Sequence, residues 1–318
     1  MTESKAIQRI LDKLNRNDFI DLLSERVSLS DLNTLLLELF RKKTSDTSYG
    51  DLLRNYSANR FVQPAELNPI ALKQMEIHIL KIAQSYSYQA MQLSPVAPLG
   101  SCSVVATSDQ NKIISALRGT EVVADATNVL ALHICDLLKK GTLKNNDDSL
   151  RFSTTHRHVR AQKFSNPGSL THFNLFCMVA SGRDRGSYSF EKETLAEHIS
   201  VYQKVFSSLY NTNIKVRLKR LAGYTDANGF MQRLSLFIKD VSPEIIVIED
   251  ESEGNNQYYK GLQFTVIVNI NGKEINIGDG GFVDWSQKLL GNKKERMMIS
   301  AIGLDRLLNL PVKGHDHK

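Results

Sequence analysis

The chain has 318 residues, of which 42% are hydrophobic, 8% aromatic and 23% charged. That length suits one large domain or two, and the composition excludes collagen-like, low-complexity and wholly disordered chains. No apolar run approaches the ~20 residues that cross a bilayer, and Met1-Thr2-Glu3-Ser4-Lys5 lacks the charged-then-apolar layout of a signal peptide, so a cytoplasmic protein with no membrane partner is expected. Forty Lys and Arg against 34 Asp and Glu leave a charge of +6. It is spread along the chain rather than gathered in a tail, and such a balance suits a phosphate-bearing ligand. Cys102, Cys135 and Cys177 are widely spaced and form no CxxC; they read as reduced core thiols rather than disulfides or zinc ligands.

In chain order, the first ~45 residues are helical by period. Ile7, Ile10, Leu11 and Leu14 make one stripe, and Leu32, Leu35, Leu36 and Leu39 another, with Ser30 placed as N-cap. Polar residues 42–59 read as a linker. The expected division is therefore a small helical region with its linker over 1–60 and a main domain over 61–318. From Asn68-Pro69, an N-cap followed by proline at the first helical position, a helix carries Leu72, Met75, Ile79 and Ile82 on one face. A short strand over 88–93 breaks at Pro95 and Pro98. The next helix spans roughly 122–140 and stops at Gly141. Strands are expected near 157–162 and 172–179, and a long helix over 191–210, where Leu195, Ile199, Tyr202, Phe206 and Leu209 recur at helical spacing. Segments 214–221, 234–239 and 244–249 read as strands. Leu262, Phe264, Val266, Val268 and Ile270 alternate with polar residues before Asn271-Gly272, and Ile275 and Ile277 return, the pattern of a hairpin with a type I′ turn. A last helix is expected over 295–310. The order predicts an α+β fold, an antiparallel sheet flanked by helices, with a small N-terminal helical region.

Neither GxxxxGK[ST] nor GxGxxG occurs, and Gly278-Asp279-Gly280-Gly281 follows a hairpin strand instead of opening a helix, so P-loop and Rossmann sites are excluded. Those glycines suit close approach of backbone to a ligand or a tight turn. GxSxG, HExxH and serine-lysine motifs are also absent. His156 and His158 alternate onto one side of a strand, but no third metal ligand accompanies them, and His315-Asp316-His317 lies beyond the last helix; no metal site is expected. The run Glu249-Asp250-Glu251-x-Glu253 reads as a solvated loop edge or as an aid to metal placement. Two arginines carry more information. Arg160 stands in Val159-Arg160-Ala161-Gln162, ahead of a Pro167-Gly168 loop, and Arg306 stands in the apolar run Ala301-Ile302-Gly303-Leu304-Asp305-Arg306-Leu307. A guanidinium in such surroundings needs an internal carboxylate or a bound phosphate as partner.

These residues resemble the motifs of class II aminoacyl-tRNA synthetases. Val159-Arg160-Ala161-Gln162, the Pro-Gly loop and Thr171-His172-Phe173-x-x-Phe176 resemble motif 2; residues 301–307 look like motif 3; the helix from Asn68, the strand over 88–93 and Pro95 are similar to motif 1, which forms the family's dimer interface. The three occur in the family's order over about 65–310. Within the class the likeness is to histidyl-tRNA synthetase and to the regulatory subunit of ATP phosphoribosyltransferase. Leu117-Arg118-Gly119-Thr120-Glu121 resembles the loop that contacts the amino acid's ammonium, Tyr258-Tyr259-Lys260-Gly261 the paired-tyrosine strand of the histidine pocket, and Gly280-Gly281-Phe282-Val283-Asp284 the GGRYD segment.

The resemblance implies that Arg160 holds the α-phosphate and Arg306 the γ-phosphate of ATP, with Mg²⁺ sharing the charge. It likewise implies that Gln162 and Phe173 complete the nucleotide site, Phe173 by stacking on adenine, while Glu121, Tyr258, Tyr259 and Phe282 meet the acid. The chain also departs from the pattern. Gln162 replaces a motif 2 glutamate, Phe282 replaces the GGRYD arginine, and Ile299 replaces a motif 3 glycine. Gly254-Asn255-Asn256-Gln257 stands where histidyl enzymes carry the arginine that activates histidine, and the sequence stops eight residues after Leu310, without an anticodon-binding domain. The expectation is a homodimeric paralogue of the catalytic core that activates an amino acid or small carboxylate as its adenylate and passes it to a tRNA, a carrier protein or a small amine. The alternatives are an inactive ligand-binding or regulatory subunit, or an RNA-binding module using Arg151, Arg157, Lys163, Arg183, Arg185, Arg217, Lys219 and Arg220.

Overall fold

The computed structural model describes residues 5–143, 149–162, 171–250, 252 and 256–310. Four helices come first: α1 (Lys5–Leu14), α2 (Phe19–Glu25), α3 (Leu29–Thr44) and α4 (Tyr49–Ala58). The N-cap of α3 is Ser28, not Ser30, its side chain accepting from Asp31 N. Residues 49–58, expected as linker, are helical because Ser48 and Asp51 form a capping box. Of these helices' apolar residues only Leu11 is fully buried.

Helix α5 (Pro69–Ser85) starts where Asn68 accepts from Ile70 N and Ala71 N, with proline in the first turn. Strand β1 (Gln89–Ala90) follows, then a three-stranded sheet of β2 (Val96–Pro98), β3 (Ser115–Ala116) and β4 (Thr120–Val122) in the order β2-β4-β3. Helix α6 (Ala126–Lys139) begins at Asp125 rather than near 122, and Gly141 ends it at φ 72°. The remaining elements are β5 (Leu150–Val159), β6 (His172–Arg183), α7 (Ser189–Tyr210), β7 (Ile214–Arg220), α8 (Ala227–Val241), β8 (Ile246–Asp250), β9 (Lys260–Ile270), β10 (Lys273–Val283), α9 (Trp285–Leu290), β11 (Glu295–Gly303) and α10 (Leu304–Leu308).

Two further expectations are corrected. Residues 234–239 lie inside α8: Phe230, Met231, Leu234 and Ile238 are buried at helical spacing. Residues 295–303 form strand β11, which runs beside both β6 and β10, and only 304–308 are helical. The hairpin stands as read, with Asn271 at φ 52° and Gly272 at φ 81° joining β9 to β10.

The main sheet has eight strands in the order β1-β5-β6-β11-β10-β9-β7-β8. Only the edge pairs β1–β5 and β7–β8 are parallel. Its centre is buried on both faces, and alternate residues sort between them. Phe176, Met178 and Ala180 of β6 pack with α5, α7 and α8 through Ile79, Leu195, Tyr202, Phe206 and Phe230. Cys177 and Val179 of the same strand face α6 and α9 through Leu130, Ile134 and Trp285. The three cysteines are buried free thiols. No helix among the described residues is long and apolar enough to cross a membrane.

Candidate functional site

A cavity of about 1510 Å³ opens where β6, β10 and β11 meet the start of α6 and the first turn of α10. Both singled-out arginines stand on it, together with Gln162, Phe173, Tyr258 and Tyr259. Arg160 follows β5. Its Nε donates to Ala124 O at 3.1 Å, and its Cζ lies 5.2 Å from the centre of the Phe173 ring. Phe173 also stacks near-parallel on His158, at 6.0 Å and 15°. Arg306 opens α10; its Nη1 donates to Asn276 O at 2.6 Å and the side chain is otherwise exposed. Lys112 adds a third cation to the wall.

Carboxylates and phenols form another part of the lining. Tyr258 OH donates to Asp125 Oδ2, and the other oxygen of Asp125 accepts from Thr127 N at 2.9 Å and Thr127 Oγ1 at 2.7 Å, the N-cap of α6. Asp279 of β10 accepts from Tyr259 OH at 3.2 Å and Gln263 Nε2 at 3.0 Å. The two tyrosine rings meet edge to face at 4.8 Å. Burial raises the Asp279 carboxyl above its ordinary range and the charge of Asp125 adds to it, against the lowering pull of its two hydrogen bonds and of the Arg160 charge. Burial also holds both phenols well above the usual tyrosine range, with Asp125 and Asp279 contributing. They are donors here, not anions.

The glycines of residues 278–281 lie within β10. They serve neither a turn nor a ligand alone but strand packing. A Cβ on Gly281 would stand 2.5 Å from Leu262 O and 2.8 Å from the Tyr259 ring, and one on Gly280 would stand 2.5 Å from Ile299 O. The missing side chains let β9 and β11 close on β10 and bring Tyr259 and Ser300 to the cavity.

Two expected site residues do not line the cavity. Glu121 is 1% exposed. Its carboxylate accepts from Gly100 N at 2.8 Å, Cys102 N at 2.9 Å and Gln110 Nε2 at 3.1 Å, bracing the short π-helical turn Ser101–Val105. Phe282 packs in the core, 5.8 Å from Phe230. Asp125 and Asp279 stand on the cavity instead. The sign of Asp125 was present in the sequence, since Asp-Ala-Thr before an apolar helical run is an N-cap pattern.

The remaining candidates are held locally. His158 Nδ1 donates to His156 O and its Nε2 accepts from Ala126 N at 2.8 Å, while burial lowers its pKa to about 3. No group of three metal-ligating side chains occurs among the described residues; His315 and His317 lie outside them. Glu249 bonds Ser235 and Lys239, and Asp250 faces Lys219; both sit on β8 at the sheet edge, and Glu251 and Glu253 lie outside the described residues. The basic side chains also have neighbours: Arg151 pairs with Glu197, Arg183 with Glu295, Arg185 with Glu193, Arg220 with Asn228, and Arg157 donates to His172. Lys163 lies outside the described residues.

One wall comes from the connector between α4 and α5, which supplies Gln63, Pro64, Glu66 and Leu67. Arg60 Nη2 and Nη1 donate to Ala161 O and Gln162 O, Thr171 Oγ1 donates to Arg60 O, and His172 Nε2 donates to Gln63 O at 2.6 Å.

The antiparallel-centred sheet with helices on both faces is a class II aminoacyl-tRNA synthetase-like fold. The chain is similar to the histidyl-tRNA synthetase of S. aureus, with TM-score 0.57 and 15% identity over 77% of this chain and 67% of that one. It is similar also to an ATP phosphoribosyltransferase regulatory subunit/histidyl-tRNA synthetase from Bacillus halodurans, with TM-score 0.58 and 13% identity over 77% and 82%. The RNA-binding domain of threonyl-tRNA synthetase from Cryptosporidium parvum matches with TM-score 0.56 at 6% identity, over 74% and 62%. No family model and no curated protein sequence matches the chain.

Proposed function

We propose that the cavity binds ATP and a small amino acid and activates the acid's carboxylate as its adenylate. One observation carries this reading: arginines 146 positions apart in sequence (306 − 160) line a single cavity beside the Phe173 ring and the carboxylates of Asp125 and Asp279. In the reaction a carboxylate oxygen attacks the α-phosphorus, the bond to the bridging oxygen breaks, and pyrophosphate leaves with the electron pair. Arg160 holds the α-phosphoryl group and meets the charge that builds there. Arg306 holds the far end of the triphosphate, Phe173 stacks on the base, and Gln162 borders the nucleotide. Asp125, in place of Glu121, takes the ammonium, and Tyr258 and Tyr259 shape the acid's end.

Mg²⁺ suits this donor set. It binds through one or two carboxylates and substrate phosphates, and Asp305 Oδ2, on the cavity beside Arg306, is buried without a hydrogen-bond partner. Asp305 would hold the ion, which supplies charge neutralisation to the phosphates.

The acceptor in this reading is a tRNA or a carrier protein in the cytoplasm. Helix α5, with Ile70 and Ile77 exposed, supplies the homodimer contact, and residues 1–60 form a helical region fastened to the main domain through Arg60. Pyrophosphate exchange into ATP that depends on one amino acid tests the proposal. Exchange is expected and is lost in Arg160→Ala. Binding of ATP and an amino acid with no exchange across a broad panel of acids refutes the enzyme and leaves a ligand-binding paralogue.

A further inference from the structure

Besides Glu66 of the connector and Asp305, assigned above to the metal, the cavity wall carries the carboxylates of Asp125 and Asp279, where a simple amino acid offers one ammonium. Asp125 and Asp279 both line it, and neither lies within 4.0 Å of a lysine or arginine nitrogen among the described residues. Their hydrogen bonds come from neutral donors alone: Tyr258, Thr127, Tyr259 and Gln263. The Arg160 charge reaches Asp279 only from beyond ion-pair distance, so a buried carboxylate here has no contacting cation, and a ligand cation is the group that relieves the cost. The tyrosine, threonine and glutamine donors fix both carboxylates in place before a ligand arrives, the arrangement of a recognition site. Arg160, Arg306 and Lys112 line the same cavity, so the ligand's carboxylate and phosphates meet cations while its ammonium groups meet the two acids.

Resting on the reading of this cavity as an adenylating site, we propose that the acid it takes is an acyclic diamino acid of the lysine or ornithine class. Asp125 receives the α-ammonium and Asp279 the side-chain ammonium. The assignment follows from covalent geometry. The α-nitrogen is one carbon from the carboxylate that attacks phosphorus, so it lies near Arg160, and Arg160 is anchored on Ala124, the neighbour of Asp125. Asp279, on β10, takes the far nitrogen. An aliphatic ammonium remains charged at neutral pH (~10.4 for lysine), whereas an imidazole (~6.5) is mostly neutral there. Only the former offers Asp279, whose carboxyl burial already raises, a permanent counter-charge.

Calorimetric titration of the full chain with L-lysine, L-ornithine, L-norleucine and L-histidine, each in the presence of ATP, tests this independently of turnover. Lysine or ornithine is expected to bind on the order of 10- to 100-fold more tightly than norleucine, which lacks only the terminal ammonium. Asp279→Asn is expected to abolish that preference, and Asp125→Asn to weaken lysine and norleucine alike. Circular dichroism and thermal unfolding of both variants verify that they fold. Norleucine or histidine binding as tightly as lysine, a preference that survives Asp279→Asn, or no binding by either diamino acid overturns the proposal. Pyrophosphate exchange with a monoamino acid would overturn it while leaving the adenylating activity standing. Diamino-acid binding without exchange would do the reverse.

Discussion

Replacing Arg160 by alanine separates a phosphate grip from a structural brace, because the structure gives each a size. On the protein's side Arg160 makes one hydrogen bond from Nε to Ala124 O, at 3.1 Å, and one cation–π contact with Phe173, at 5.2 Å. A net hydrogen bond contributes about 1 kcal/mol and a cation–π contact at a wet site about 0.5–1 kcal/mol, so the variant is expected to lose about 1–2 kcal/mol of stability. On the ligand's side, a charge-assisted hydrogen bond to phosphate is worth about 1.5–3 kcal/mol, a 10- to 150-fold loss in affinity for ATP. Calorimetric titration with ATP reads the second quantity and urea unfolding the first. Arg151→Ala is the control, since Arg151 pairs with Glu197 and does not line the cavity. Arg306→Ala should produce an ATP loss of the same order with less effect on stability, since its guanidinium is anchored by a hydrogen bond to Asn276 O on an otherwise exposed side chain. Unchanged ATP affinity in Arg160→Ala, or equal losses in Arg151→Ala, would refute the shared triphosphate grip.

Two further outcomes are expected. Gly281→Ala drives a Cβ to within 2.5 Å of Leu262 O and 2.8 Å of the Tyr259 ring. It should cost about 1–3 kcal/mol by overpacking and weaken amino-acid binding through displaced Tyr259, which urea unfolding and titration would reveal together. Burial lowers His158 and His198 to about 3, so the unfolded chain takes up protons below ~6.5 that the fold refuses. The stability these residues contribute is whole above that pH and is lost progressively as pH falls toward 3. At pH 5, 1.5 units below the unfolded value, each costs about 2 kcal/mol. The raised carboxyl of Asp279 works the other way, gaining stability as pH falls. Urea midpoints that do not fall between pH 7 and pH 5 would contradict the buried neutral imidazoles.

The signals read correctly from sequence are those whose physics is local. Asn68-Pro69 starts α5 through side-chain and ring geometry, and Asn271-Gly272 turns the hairpin because both residues adopt positive φ. The misread segments are those where tertiary burial erases the period. Met297, Met298, Ile299 and Ile302 of β11 are buried on both faces of the sheet, so the strand reads as a continuous apolar run and passes for a helix. The same limit shaped the site. Arg160, Arg306, Gln162, Phe173, Tyr258 and Tyr259 stand together on the cavity, legible through motif order. Placing the start of α6 near 122 put Asp125 inside a helix and hid its cap position, while Glu121 was chosen by the likeness of residues 117–121 to the ammonium-contacting loop. Asp279 had no local mark, because only the approach of Tyr259 and Gln263 from β9 makes it part of a site.

The connector over residues 60–67 has a practical meaning for anyone trimming the chain. It is stitched at its first residue to Ala161, Gln162 and Thr171, and a few residues later it becomes cavity wall. The helices before it are thus no detachable tag. A truncation that starts at 61 keeps the wall but cuts its fastening, and force or binding applied to the leading helices is felt at the mouth of the chamber.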